Sequence, residues 1–360
     1  GACARRGCDP RDRSVFQQRH VSRRRTRVQV SLHGAQRVCA RVRRHAKERN
    51  KMNSNENVKK IICIDHLTKD FGYQRGVFDI SFDVCEGEVF GFLGPNGAGK
   101  TTTIRHIMGF AKPQSGKVLV FGKESYHDYH QILEEIGYLP GEVSLPENLT
   151  GMQFIEMMQG LRKNKNPERL QYLIEKFELD LSENVKRMSL GDKRKLAIIT
   201  AFMNDPKVLI LDEPTSGLDP IMQEKFIQFI LEEKQRGKTI LLSSHIFKEV
   251  DATCDRIAII KDGKIVSIFV ADDLRYNTNK TYQITFSDDA SFEQFCSQDF
   301  QISYTDHTKR IIKVNIDNVQ INNLIQALKA LKVSSFREIQ FSLEDYFMNF
   351  YKQDQTFGGI

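Results

Sequence analysis

The chain has 360 residues, 40% of them hydrophobic, which suits one large or two ordinary domains and allows a real core. Its formal charge of +7 misleads, because residues 1–51 hold 14 Arg and 2 Lys against Asp9, Asp12 and Glu48, and the rest of the chain is net acidic. No apolar run reaches the length of about 18 residues that a spanning helix needs, which excludes a transmembrane helix.

Residues 1–51 are also poor in aromatics, with Phe16 alone, and Met52 opens Met-Asn-Ser-Asn-Glu-Asn-Val in the manner of a natural start. This leader reads as non-native or disordered sequence. The competing readings are a nucleic-acid-binding arm and a targeting peptide, for which it is Arg-rich but Ser-poor. The absence of a secretory apolar region after Met52 predicts a cytosolic chain. None of the cysteines shows paired metal spacing, and Cys63, Cys85, Cys254 and Cys296 predict buried thiols in a reducing compartment.

Residues 60–66 and 78–84 read as strands. Between them lies Lys69-Asp70-Phe71-Gly72-Tyr73, in which Phe71 first, and Tyr73 second, is the candidate to lie over an adenine ring. Val89 to Leu93 is an apolar run, a buried strand. It leads into Gly94, Pro95, Asn96, Gly97, Ala98, Gly99, Lys100, Thr101 and Thr102, which fit G-x-x-x-x-G-K-[ST] between a strand and a helix start. Glycines let several N–H groups face one phosphate, and the helix N-terminus adds unpaired donors and positive dipole. Lys100 brings a full charge to the β- and γ-phosphates, and the Thr101 hydroxyl is a candidate Mg2+ ligand.

Residues 118–121 and 136–139 read as strands with a short helix at 128–135 between them. Apolar spacing then predicts helices over 150–161 and 167–177, the second with Asn166 as N-cap and Pro167 at N1. This helical block interrupts an α/β pattern. It resumes with a helix at 193–203 and with Val208 to Leu211, apolar throughout as a central parallel strand should be. That strand ends in Asp212 and Glu213. Ligand sites lie at the carboxyl ends of such strands, so Asp212 is a candidate for holding Mg2+ and Glu213 for polarising an attacking water. His245 follows the next strand, at 239–243, and is a candidate to orient that water. Residues 256–269 read as a closing hairpin. The last stretch reads as a small α+β domain, with strands at 281–286, 301–305 and 310–316 and helices at 291–296 and 321–331.

These pieces in this order resemble the ATPase subunit of an ABC transporter over about residues 58–269. The carry-over rests on Gly94 to Thr102 as Walker A, Val208 to Asp212 as Walker B, Glu213 as the catalytic glutamate, His245 as the switch histidine and Phe71 as the stacking aromatic. Residues 214–219 resemble the D-loop. The resemblance implies an α/β fold, a P-loop core with an N-terminal antiparallel β-subdomain and an inserted α-helical subdomain at about 140–190. With the reading of the last stretch this places an ATPase domain over 52–272, an accessory domain over 273–352 and a tail over 353–360. ATP and Mg2+ are the implied cofactors. A second ATPase copy or paralogue in a head-to-tail dimer and a transmembrane permease are the implied partners, at the inner face of the plasma membrane, with no nucleic acid. Ser189 and Gly191 are implied to face the partner's γ-phosphate.

Two departures stand out. The signature Leu-Ser-Gly-Gly-Gln is here Met188-Ser189-Leu190-Gly191-Asp192, and the glutamine expected after Ile136-Gly137-Tyr138-Leu139-Pro140 is replaced by Gly141 and then Glu142. Both deviations, and the ending Ser342-Leu343-Glu344-Asp345-Tyr346-Phe347, resemble the exporters of small peptides and antibiotics and the ABC-2 type. The alternatives are a regulatory ATP-binding module with little turnover and a soluble ABC ATPase of nucleic-acid metabolism.

Overall fold

The computed structural model describes residues 59–162, 165–275, 279–339 and 342–352. The Arg-rich leader with Met52 and the tail at 353–360 lie outside them. The chain divides into two compact units, with the break between Asp273 and Leu274.

In chain order the first unit runs β1 (Lys60–Asp70), β2 (Gly76–Cys85), β3 (Val89–Leu93), α1 (Lys100–Ile107), β4 (Ser115–Val120), β5 (Lys123–Glu124), α2 (Tyr129–Glu135), β6 (Ile136–Leu139), α3 (Gly151–Gly160), α4 (Pro167–Phe177), α5 (Leu190–Phe202), β7 (Val208–Asp212), α6 (Pro220–Gln235), β8 (Thr239–Ser244), α7 (Phe247–Thr253), β9 (Arg256–Lys261) and β10 (Lys264–Val270). α8 (Ala271–Arg275) follows. Two sheets organise it. One has the order β2-β1-β4-β5 and is antiparallel. The other has the order β10-β9-β3-β8-β7-β6. It is parallel from β9 to β6, with β10 as its antiparallel edge.

The core lies between these sheets and around α1. Ile62, Val84, Phe90, Phe92, Ile104 and Ile210 share it, and each is 0% exposed. Every residue of β3, β7 and β8 is buried, because a central parallel strand is covered on both faces. Their apolar runs therefore do not alternate.

The helical insertion is capped as its sequence dictates. Thr150 and Gln153 form a reciprocal capping box on α3, and Asn166 caps α4 ahead of Pro167. Phe177, Phe202, Phe226 and Phe229 join α4, α5 and α6, with ring centroids 5.3, 4.8 and 6.4 Å from that of Phe229. Burying each ring contributes roughly 1.5–3 kcal/mol, so this aromatic cluster anchors the insertion to the parallel-sheet unit.

Two expectations are corrected here. The helix expected from Lys193 begins at Leu190, because the Ser189 side chain accepts from Asp192 N and starts the helix three residues earlier. Of the four described cysteines only Cys254 is buried, and Cys63, Cys85 and Cys296 are half-buried.

The second unit has its own topology: β11 (Asn279–Phe286), α9 (Asp289–Cys296), β12 (Gln301–Asp306), β13 (Ile311–Asp317), α10 (Ile321–Leu328), β14 (Val333–Ile339) and α11 (Leu343–Lys352). Its sheet has the order β12-β13-β11-β14 and is antiparallel throughout. This βαββαβ order is that of the ferredoxin-like split motif. Ile284, Phe295 and Ile312 fill its core. β14 was not expected from the sequence. Its residues are mostly exposed, so no apolar alternation marks it.

Candidate functional site

The loop between β3 and α1 is built by close backbone approach. A side chain at Gly94 would meet Ile260 O at 2.6 Å, and Gly99 has φ +110 with Val77 Cγ1 at 2.8 Å from where a Cβ would stand. Both positions require glycine. The loop is tied to its neighbours by Gly94 N donating to Ser244 O (3.3 Å) and Gly263 N donating to Ala98 O (3.0 Å). Pro95, Asn96 and Gly97 form an exposed lip, while Lys100 begins α1 and is 5% exposed.

Lys100 Nζ donates to Gly94 O (2.6 Å) and Pro95 O (3.1 Å) and lies 2.9 Å from Glu213 Oε1. Among the described residues no hydrogen-bond donor is aligned on that carboxylate oxygen, and Lys100 is its ion-pair partner. The adjacent Thr101 donates its hydroxyl to Asp212 Oδ2 at 2.7 Å. Asp212 is fully buried at the end of β7, and Ser243 Oγ donates to its other oxygen. A buried carboxylate is costly unless hydrogen-bonded, and these two hydroxyls satisfy it. Glu213 is the first residue past the strand. Its N–H donates to Ser243 O (3.0 Å), its φ is +47, and its Oε2 lies 2.6 Å from His245 Nδ1.

Lys100, Thr101, Asp212, Glu213 and His245, singled out in three separate stretches of sequence, are thus brought together at the carboxyl ends of β3, β7 and β8. Thr102 stands half-buried in the first turn of α1. Phe71 is 60% and Tyr73 100% exposed in the turn between β1 and β2. Ser189 and Gly191 are not part of this cluster within one chain. Gly191 lies beside Gly217 O, and Leu190 packs on Gly217. Ser189 Oγ donates to Asp192 Oδ2 at 2.6 Å.

Among the described residues no cluster of three His, Cys, Asp or Glu forms a metal site. The Thr101 hydroxyl and the Asp212 carboxylate do present hard oxygen donors side by side. They fit Mg2+, which takes one or two protein ligands and completes its shell with phosphate oxygens and water.

Sequence reasoning missed two residues. Arg194 on α5 is 2% exposed and donates to five backbone carbonyls, those of Pro140, Gly141, Asp212, Glu213 and Pro214. Burial pushes its pKa down to about 10, which leaves it charged at neutral pH. A usable signal existed, since Arg194 shares the buried row of α5 with Ile198 and Phe202. Glu249 on α7 is 1% exposed, accepts from Ser244 Oγ at 2.6 Å, and has its pKa pushed up to about 7 by burial. It stands in the first turn of α7, four residues after His245.

Residues 77–216 match the family described as ABC transporter. The chain is 34% identical over 299 residues to the bacitracin transport ATP-binding protein BcrA of Bacillus licheniformis, covering 80% of this chain and 96% of that one. It is 32% identical over 294 residues to the uncharacterized ABC transporter ATP-binding protein YhcH of Bacillus subtilis, covering 81% and 96%. A solved ATP-binding subunit of an ABC transporter superimposes with a TM-score of 0.55 at 29% identity, over 60% of this chain and 92% of the other.

Proposed function

The chain belongs to the ABC transporter ATP-binding proteins, and on that premise we propose that it binds and hydrolyses ATP in an ATP-sandwiched dimer that powers a membrane permease. The convergence of Lys100, Thr101, Asp212, Glu213 and His245 on one phosphate loop carries this reading. Backbone N–H groups of residues 94–102 and the start of α1 hold the phosphates, and Lys100 supplies the charge. Phe71 stacks on the adenine. Thr101 and Asp212 hold Mg2+, which when bound neutralises charge on the phosphate oxygens. Glu213 polarises the attacking water and takes its proton, while His245 orients water and γ-phosphate from the other side of that carboxylate. Ser189 and Gly191, at the exposed start of α5, close on the nucleotide of the partner subunit.

The ATPase unit ends near residue 272, and the unit after it is accessory. No helix among the described residues is long and apolar enough to cross a membrane; in this reading the permease is a separate transmembrane subunit, and this chain works on it from the inner face of the plasma membrane. Export of a small peptide or antibiotic is the direction and cargo proposed. The signature, the Gly141 segment and the likeness to a bacitracin transport protein support it.

The test is ATP turnover with Mg2+ over a range of protein concentrations, beside Glu213→Gln. Slow hydrolysis that rises with concentration, and a variant that instead accumulates as an ATP-bound dimer, are expected. ATP binding without turnover at any concentration overturns the reading.

A further inference from the structure

A guanidinium removed from water is expensive unless its donors are all used. Arg194 uses them on backbone carbonyls alone. Its Nε donates to Pro214 O (2.9 Å), Nη1 to Pro140 O (2.6 Å) and Gly141 O (3.2 Å), and Nη2 to Asp212 O (3.1 Å) and to Glu213 O. Three of these carbonyls belong to consecutive residues where the chain leaves β7. The other two lie where it leaves β6 for the helical insertion. One side chain on α5 therefore ties two strand exits together.

What it holds is not ordinary backbone. Glu213 sits at φ +47, in the left-handed region that a residue with a Cβ adopts only when its surroundings impose it. Its N–H is fixed from β8 by Ser243 O (3.0 Å). Its own carbonyl and that of Asp212 are fixed from α5 by Arg194. Both peptide planes flanking the Glu213 Cα are thus pinned, and with them the direction of the side chain toward Lys100 and His245. Gly141 has no side chain with which to bridge the insertion and the site. Arg194 makes that connection from a helix whose first residues are Leu190 and Gly191.

We propose that Arg194 is a positioning residue for hydrolysis: it holds Glu213 in its left-handed conformation and transmits to Glu213 any movement of α5 and of the Pro140–Gly141 segment. This rests on the reading of Glu213 as the group that activates water. Arg194 gives its donors to backbone carbonyls, which leaves none to bind a nucleotide. Its loss is therefore expected in kcat and not in nucleotide affinity.

The test compares the full-length wild type with Arg194→Ala, Arg194→Lys and Arg169→Ala. Arg169 is a second buried arginine, 2.7 Å from Glu233 and outside the site, so its loss reports what removing a buried guanidinium does to stability alone. Arg194→Ala is expected to lose about a hundredfold in kcat, as a misplaced catalytic group does, with the Kd for a non-hydrolysable ATP analogue within about threefold. Millimolar guanidinium, but not sodium at equal ionic strength, restores part of that kcat. Arg194→Lys retains an intermediate kcat, and Arg169→Ala lowers Tm without lowering kcat. If Arg194→Ala does not fold, Arg194→Lys carries the same kcat-against-Kd comparison. Unchanged kcat, or a loss confined to Kd, overturns the proposal while leaving the functional reading intact. A wild type without turnover overturns both.

Discussion

Lys100 Nζ and Glu213 Oε1 stand 2.9 Å apart, with Lys100 5% and Glu213 16% exposed at the side chain. The cation proposed for the phosphates is therefore paired with a carboxylate, and a phosphate competes with that carboxylate for it. Glu213→Gln removes that competitor. Its affinity for a non-hydrolysable ATP analogue is expected to rise about tenfold, the equivalent of about 1.4 kcal/mol and within the range of a charge-assisted contact. Fluorescence titration of wild type and variant measures this independently of turnover. An unchanged Kd means that the pair survives in the complex.

Asp192 stands where the family signature has glutamine, and it engages Ser189 twice. Ser189 Oγ donates to the carboxylate and accepts from Asp192 N. A carboxylate in the first turn stabilises α5, yet it sits beside Ser189, which the proposed dimer brings to a phosphate. Asp192→Asn is thus expected to show opposite effects. Stability falls by about 0.5–1 kcal/mol, while dimerisation with ATP needs less protein and turnover rises. Urea unfolding and concentration-dependent turnover separate them, and a fall in both refutes a role for the charge at the interface.

The contrast between Glu213 and Arg194 explains what could be read in advance. Glu213 follows an apolar strand and shares a local pattern with Asp212, so sequence reveals it. Arg194 draws its meaning from carbonyls that every residue carries, brought from segments 53 and 54 residues before it and 18 to 20 after it. No residue type announces such partners. The start of α5 lies earlier than expected for a related reason: the Ser189 cap that decides it is a single side-chain contact, which no apolar spacing marks. β14 escaped because an exposed edge strand needs no alternation, whereas β3 and β7 were plain because burial on both faces demands apolar residues throughout.

Glu249 predicts a pH dependence of stability. Its ordinary value is 4.5, and burial, with the nearby Glu213 carboxylate, raises it to about 7 against the opposing effects of Ser244, Thr215 and Arg194. Below pH 4.5 both folded and unfolded chains hold the proton. Between there and about 7 only the folded chain does, so stability from this group falls as pH rises, by at most about 3 kcal/mol. Glu249→Gln cannot titrate and escapes that loss. Urea midpoints for both proteins at pH 5 and pH 8 are expected to diverge at the higher pH, with the variant more stable there. Parallel curves would falsify the assignment.

Gly141 supplies the last test, because the family pattern asks for a side chain there and this chain offers only a tight fit for one. A Cβ at Gly141 would stand 3.2 Å from Asp212 Oδ2, the oxygen that accepts from Thr101. Its φ is not in the left-handed region, so the obstacle is space and not backbone strain. The carboxylate must give by a few tenths of an ångström, against hydroxyls that hold it from both sides. Gly141→Ala is therefore expected to cost about 1–3 kcal/mol in stability while disturbing the proposed Mg2+ site. The sensitive quantity is the Mg2+ concentration for half-maximal turnover, which should rise severalfold with ATP saturating. Gly141→Gln should not accelerate turnover, because its Cβ meets the same oxygen before its amide reaches anything. Faster turnover in Gly141→Gln would mean that the loop moves aside freely and that Asp212 is not confined by it.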